Sequence, residues 1–167
     1  KVWIAEKADA FSGATPLGLS ASGQFDKIPD LQTMFYGFMP GSIGETSKIA
    51  ILIGAAILIY TGIGSLRIMV SAIIGLLATG FLFNVLGTNA YMQIPAYDHL
   101  LFGGFLFGIV FMATDPVSAS QTPTGKIIYG FFIGVFTMMV RVVNPAYPEG
   151  TMLAILLMNV FAPLIDY

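Results

Sequence analysis

An all-α integral membrane protein with five transmembrane helices, some of them short and interrupted, is the architecture that three properties of this chain predict. Hydrophobic residues fill 56% of its 167 positions and charged residues only 10%, against about a quarter charged in an ordinary soluble domain. Mean hydropathy is +0.84. The apolar residues also gather into runs, two of them long enough to cross a hydrocarbon core. The lipid bilayer is therefore the first partner. The formal net charge of −2, with cations scattered singly, leaves no basic surface for a phosphate backbone and excludes nucleic acid as a partner. Cysteine is absent, so disulfides, thiolate zinc and iron–sulfur clusters bound by this chain alone are ruled out. The single histidine and the spaced carboxylates make no zinc signature.

Residues 1–46 are mixed in character, and Gly13, Pro16, Gly18, Gly23, Pro29, Pro40, Gly41 and Gly44 interrupt every short apolar run. This segment reads as extramembrane or interfacial, with short helices. The transmembrane region is residues 47–167. Ile49–Leu66 carries no charge, and after Arg67 comes Ile68–Leu86. At about 1.5 Å per residue each spans a core of about 30 Å with little tilt. Leu100–Thr114, Ile127–Val143 with Arg141 near its end, and Thr151–Ile165 with Pro163 inside it supply three more, shorter spans. Short, Pro- or Gly-interrupted segments either extend a turn into polar flanks or stop within the bilayer to form a site, as transporter helices do. Five spans place the Thr15 segment and Tyr167 on opposite sides. Lys48 and Arg141 fall on the Thr15 side, Arg67 and Lys126 on the other, a tie under the positive-inside rule.

Few groups are left to carry chemistry. Thr15 precedes Pro16, so its hydroxyl either caps a helix beginning there or is esterified, with a phosphate resting on the same N–H groups. Asp115 and Asp166 follow their helices on the side opposite Thr15, at the negative end of the helix dipole. With Ser118, Ser120 and backbone carbonyls they form a candidate sodium entry site, since a hard cation prefers oxygen. Equally, Asp115 before Pro116 is a good N-cap for a short helix over 116–120, and terminal Asp166 is simply solvated. Glu45 either favours the positive end of the first span, which Thr46 or Ser47 can cap, or lines a cofactor site. Arg141 is the one cation deep in an apolar segment: it either snorkels to the interface or lies buried and pairs with a phosphate or with Glu149. His99 reads as an interfacial or capping group, and Trp3, Tyr91, Tyr97, Tyr147 and Tyr167 as interface anchors. Gly62, Gly64, Gly103 and Gly104 read as close-packing positions. No dinucleotide-binding fingerprint occurs in strand–helix context.

Asp9-Ala10-Phe11-Ser12-Gly13-Ala14-Thr15 resembles the Asp-Gly-x-Ser/Thr-Gly-Ala-Thr flavinylation motif, with Ala10 in place of the commoner glycine. The resemblance continues through Pro40–Ser47, Phe111–Ser120, Arg141–Gly150 and Phe161–Asp166. Over nearly its whole length the chain is similar to the C-terminal half of the B-type membrane subunits of sodium-translocating NADH:quinone reductases, with the D subunit of the Rnf ferredoxin:NAD complex as a relative. The resemblance implies FMN joined to Thr15 by a phosphoester, attached by a dedicated flavin transferase, with Ser12, Gly13 and Ala14 around it and Arg141 as a candidate phosphate partner. It also implies Na+ as the transported ion, with Asp115 and Asp166 on its path. Other subunits of a respiratory complex and a quinone would be partners, and the complete subunit could hold riboflavin. The membrane would be the bacterial cytoplasmic membrane, Thr15 periplasmic and the C-terminus cytoplasmic. The family fold resembles the urea channel, built of two inverted five-helix repeats, of which this chain would be one. On this reading the chain is a fragment whose Ala21–Pro40 connection is shorter than the family pattern. The alternatives are an Rnf-type subunit and a passive solute or ion channel in which Thr15 only caps a helix.

Overall fold

The computed structural model describes residues 14–87, 90–144 and 148–167. Trp3, Ser12, Gly13 and the motif residues before them lie outside the described residues, as do 145–147. Among the described residues, regular structure is entirely helical.

Local chemistry sets each boundary. Helix α1 (Pro16–Ala21) starts where Thr15 is extended and its hydroxyl accepts the Gly18 N–H at 3.1 Å, with Pro16 in the first turn. Helix α2 (Leu31–Tyr36) stops at Gly37, which has φ +87°. A side chain at Gly37 would meet the Ser47 backbone at 2.7 Å, so that turn lies flat against the start of the next helix. Leu17, Met34 and Met39 of this region bury themselves with Ile94 and Phe102 in a small core, against which Leu101 packs. Residues 14–39 are thus docked on one end of the bundle.

Helix α3 (Lys48–Tyr60) is capped by Ser47, whose hydroxyl accepts the Ala50 N–H. It ends well before Leu66, the end predicted for the first span, because Thr61 turns its hydroxyl back onto Ile57 and Leu58 and the chain then reverses at Gly62. At 13 residues it covers about 20 Å. Helix α4 (Leu66–Leu86) takes Arg67 into its first turn, so this residue does not stand between spans. The third predicted span is broken. It comprises α5 (Asp98–Leu101), an extended Phe102, Gly103 at φ +58°, α6 (Phe105–Phe107) and a π-helical turn over Gly108–Met112. Helix α7 (Pro123–Val143) begins at Thr122, whose hydroxyl accepts the Gly125 N–H, and α8 (Thr151–Asp166) runs through Pro163. The short helix expected over 116–120 is a turn.

Helices α4 and α7, 21 residues each, are long and apolar enough to cross a membrane. They form the closest pair, and small residues make that possible. A methyl group on Gly134 would strike the Ala72 carbonyl, and one on Gly75 the Phe131 carbonyl. Backbones in such contact gain dispersion that bulky side chains would forbid, the usual basis of helix association in lipid. Around this seam Ala72, Leu76, Tyr129, Ile133, Phe105 and Ile109 are buried. The outer faces are apolar as well: Ile53 and Ile57 on α3, Ile74 and Phe81 on α4, and Leu153, Leu156 and Val160 on α8 are all exposed. Helices apolar on both faces fit a lipid environment.

The seam makes a direct prediction. Gly134→Leu in the complete subunit should cost about 2 kcal/mol or more by overpacking, or prevent folding altogether, while Ile74→Val on the outer face should stay within about 0.5 kcal/mol. Thermal denaturation midpoints in detergent read the difference.

Candidate functional site

Chemistry-bearing groups collect at the two ends of the bundle. At the first end, Thr15 is half-buried behind an exposed Ala14. Its oxygen uses one lone pair for the Gly18 N–H. Esterification would replace the hydroxyl proton and leave that contact possible, so this position fits a phosphoester-linked group. Of the neighbours expected around such a group, Ser12 and Gly13 lie outside the described residues.

Deeper at the same end, four charged residues surround the break between α5 and α6. Arg141, in the last turn of α7, is 1% exposed and does not snorkel. Its Nη1 donates to the His99 carbonyl at 2.6 Å, Nη2 to the Phe102 carbonyl at 3.0 Å and Nε to the Glu149 carbonyl at 3.4 Å. Of its two expected partners, a phosphate and Glu149, it reaches the second through the backbone. Lys48 is wholly buried at the start of α3 and donates to the carbonyls of Glu45, at 2.6 Å, and Gly103, at 3.4 Å. The carboxylates of Glu45 and Glu149 both act on its charge. Glu149 in turn accepts the Gly104 N–H at 2.8 Å. A side chain on Gly103 would collide with the Glu149 carboxylate, and one on Gly104 would meet the Glu45 carboxylate at 3.0 Å. Glycine is needed here for the positive φ of Gly103 and for the space. Next to the break lies a cavity of about 200 Å³ lined by Ser42, Glu45, Gly104, Phe107, Glu149 and Thr151.

Glu45 stands outside α3. Its carboxylate accepts the Ser42 N–H at 2.8 Å, leaving the helix to be capped by Ser47. His99 is buried, with its ring edge-on to Phe102, and is not an interfacial group. The burial of Lys48 against the Gly103–Gly104 break is a feature of the site that sequence reasoning misses. A glycine pair inside an already short apolar run, facing the few cations at the ends of the spans, is the signal that could find it.

At the opposite end, Asp115 and Asp166 serve one loop. Asp115 accepts the Ser118 N–H at 2.9 Å and the Ser118 hydroxyl at 2.7 Å, closing the turn after the π-helical segment. The Ser118 hydroxyl, then its amide, hold the Asp115 carboxyl below the usual carboxylate range. This contribution is present at neutral pH and is lost as pH falls through the lowered value. Asp166 is not merely solvated. One oxygen accepts the Ser120 hydroxyl at 2.5 Å, the Thr122 hydroxyl at 2.8 Å and the Thr122 N–H at 3.0 Å, and the other accepts the Gln121 N–H at 2.6 Å. A carboxylate that would be unfavourable at the C-terminus of α8 is thereby placed at the favourable N-terminus of α7. The predicted oxygen donors Ser118 and Ser120 do face these two carboxylates, one each. No group of three or more histidines, cysteines or carboxylates suited to a metal occurs among the described residues. Between the two ends, buried Tyr129 of α7 donates its hydroxyl to Asn159 of α8.

The family model described as the NQR2, RnfD, RnfE family matches residues 1–167. The B subunit of the Na(+)-translocating NADH-quinone reductase of Chromohalobacter salexigens is 52% identical over 171 residues, covering 99% of this chain and 41% of the relative. The proteins of the same name from Klebsiella pneumoniae and Pseudomonas paraeruginosa are each 53% identical, over 99% of this chain and 42% of their own length. The chain thus spans about two-fifths of the curated relatives it matches.

The buried cluster predicts an ordered series. Arg141→Met strands three carbonyls and should cost at least about 3 kcal/mol, whereas Glu149→Gln, which keeps an acceptor for the Gly104 N–H, should cost less than Glu149→Ala. Thermal midpoints of the complete subunit test the order, and equal midpoints for Gln and Ala would remove the bracing role of Glu149.

Proposed function

The chain belongs to the NQR2, RnfD, RnfE family, and from that premise we propose that it is the C-terminal part of the membrane-embedded B subunit of a sodium-translocating NADH:quinone reductase. In this reading Thr15 carries FMN through a phosphoester installed by a flavin transferase, at the periplasmic face of the bacterial cytoplasmic membrane. The observation that carries it is the place of Thr15: a half-buried hydroxyl at the start of α1, in a flavinylation-like stretch, with one N–H already directed at its oxygen.

Bound flavin would supply one- and two-electron chemistry. The chain's own residues do the rest. Thr15 and α1 anchor the group to the bundle end through Leu17, buried in the small core with Met34 and Phe102. The cluster of Arg141, Lys48 and Glu149 holds the helix break beneath that end open. At the cytoplasmic end, Asp115 and Asp166 with the hydroxyls of Ser118, Ser120 and Thr122 offer the oxygen-rich surroundings that a sodium ion entering from water requires. Electron flow from NADH toward a quinone, riboflavin elsewhere in the subunit and contacts with the other subunits of the complex belong to the whole assembly. Coupling requires that reduction change the affinity or access of the sodium path, since a charge shifts a conformational balance only through unequal interaction with its two states. The family description also names RnfD, so an Rnf-type subunit with other electron donors is the second reading; the relatives above favour the first.

Two measurements test the proposal. Subunit from native membranes, run on a denaturing gel under ultraviolet light, should fluoresce and Thr15→Ala should be dark; a bare Thr15 peptide by intact mass would end the flavoprotein reading. Asp115→Ala combined with Asp166→Asn should raise the sodium concentration for half-maximal turnover with flavin content unchanged. Unaltered sodium dependence would remove the cation role of the pair.

A further inference from the structure

Between Thr151 and Asp166 at its two ends, α8 carries a single polar side chain, Asn159. Around it on the outer face Leu156, Leu157, Val160 and Phe161 are apolar and exposed. Asn159 itself is half-buried. Its oxygen accepts the hydroxyl of Tyr129, a side chain wholly buried on α7, while its amide nitrogen meets no acceptor among the described residues. Hydrocarbon penalises an amide donor left without a partner. This edge of α8 therefore turns toward water or protein and not toward acyl chains.

The pair stands directly inward of the two carboxylates already described. On α7, Gly125 lies against the knot around Asp166, since a methyl group there would strike the Asp166 carboxylate and the Ser120 and Thr122 hydroxyls. Tyr129 follows one turn, about 6 Å, deeper. On α8, Asn159 precedes Asp166 by two turns, about 10 Å, on the same face. The Asp115 carboxylate is close enough for its charge to act on the Tyr129 hydroxyl. Charged oxygens at the end of the bundle are thus succeeded, one to two turns in along the same two helices, by neutral ones.

The chemistry of the pair suits a small hard cation. The phenol gives its proton to Asn159, so the Tyr129 oxygen keeps its lone pairs, and the amide oxygen keeps a second one. Neutral ligands also hold an ion loosely, and a transported ion has to leave. We infer that Tyr129 Oη and Asn159 Oδ1 are the next oxygen ligands for sodium inward of Asp115 and Asp166, on an edge of α7 and α8 that faces the ion path. The inference rests on the proposed entry role of those two carboxylates.

Because this chain has no cysteine, Asn159→Cys and its neighbour Val160→Cys, made in the complete subunit within its native complex, each add one thiol to this region. A water-soluble methanethiosulfonate applied to inside-out vesicles should label Asn159→Cys above the parental level, more slowly in sodium than in choline, and should leave Val160→Cys at the parental level. Tyr129→Phe keeps the ring and loses the oxygen. It should raise the sodium concentration for half-maximal turnover about two- to tenfold, with flavin content and maximal rate little changed. A hydrogen bond that only ties two helices would instead lower the thermal midpoint and leave half-saturation alone. Labelling of Asn159→Cys no greater than that of Val160→Cys, or parental half-saturation in Tyr129→Phe, overturns the assignment; if Asn159→Cys fails to assemble, Tyr129→Phe decides. Where the assignment fails and the Asp115→Ala, Asp166→Asn subunit still shows altered sodium dependence, only the inner ligands fall, whereas unaltered dependence in that variant removes both readings.

Discussion

A carbonyl or amide taken out of water must find a partner inside the protein, at a cost of roughly 1–3 kcal/mol for each one left alone, and the break between α5 and α6 meets that demand with charged side chains. Phe102 and Gly103 expose carbonyls that a continuous helix would have used, and Arg141 and Lys48 supply donors from two other helices. Glu149 accepts the Gly104 N–H. Two cations and two carboxylates packed together keep the region near neutrality, which is the condition under which buried charge is tolerable. Without these side chains the glycine pair would be better continued as helix, and the cavity beside Glu45 and Glu149 would not be where it is.

The break also has to be carried by something firm. The α4–α7 seam provides this, because Gly75, Gly130 and Gly134 let the backbones approach until carbonyl and Cα nearly touch. Residues on either side of the seam are buried on an otherwise apolar bundle, and Arg141 projects from the last turn of the same α7. The precision with which the guanidinium meets three carbonyls follows from where α7 is pinned.

What the sequence reveals and what it hides divide along the same line. Helix α4 is legible because its length and hydropathy are properties of one continuous stretch, and the cap at Thr15 because its partner is three residues away, whereas α7 reads as a shorter span from Ile127 because its first turn, Pro123 to Lys126, is polar and falls outside the apolar run. The third span reads wrongly as a single helix: hydropathy runs unbroken through Gly103 and Gly104, while the groups that stabilise the break lie 39 to 55 positions distant. The premature end of α3 depends on Thr61 turning back onto its own helix, a local choice that an apolar run does not announce. Asp166 reads as solvated because its donors, Ser120 to Thr122, stand 44 to 46 positions earlier in the chain. The charged residues are recognisable in the sequence as unusual, and Arg141 with Glu149 as one possible pair, but not that Arg141 meets Glu149 through its carbonyl or that Lys48 joins them at the break.

Asp166 ties the end of α8 to the start of α7, Tyr129 and Asn159 join the two helices further along, and Arg141 reaches the Glu149 carbonyl at the far end. Stapled in three places, and with α7 zipped to α4, this trio has few ways to flex. Arg141 also holds the His99 and Phe102 carbonyls, so the glycine joint is fastened to that frame and shifts only together with the end of α7.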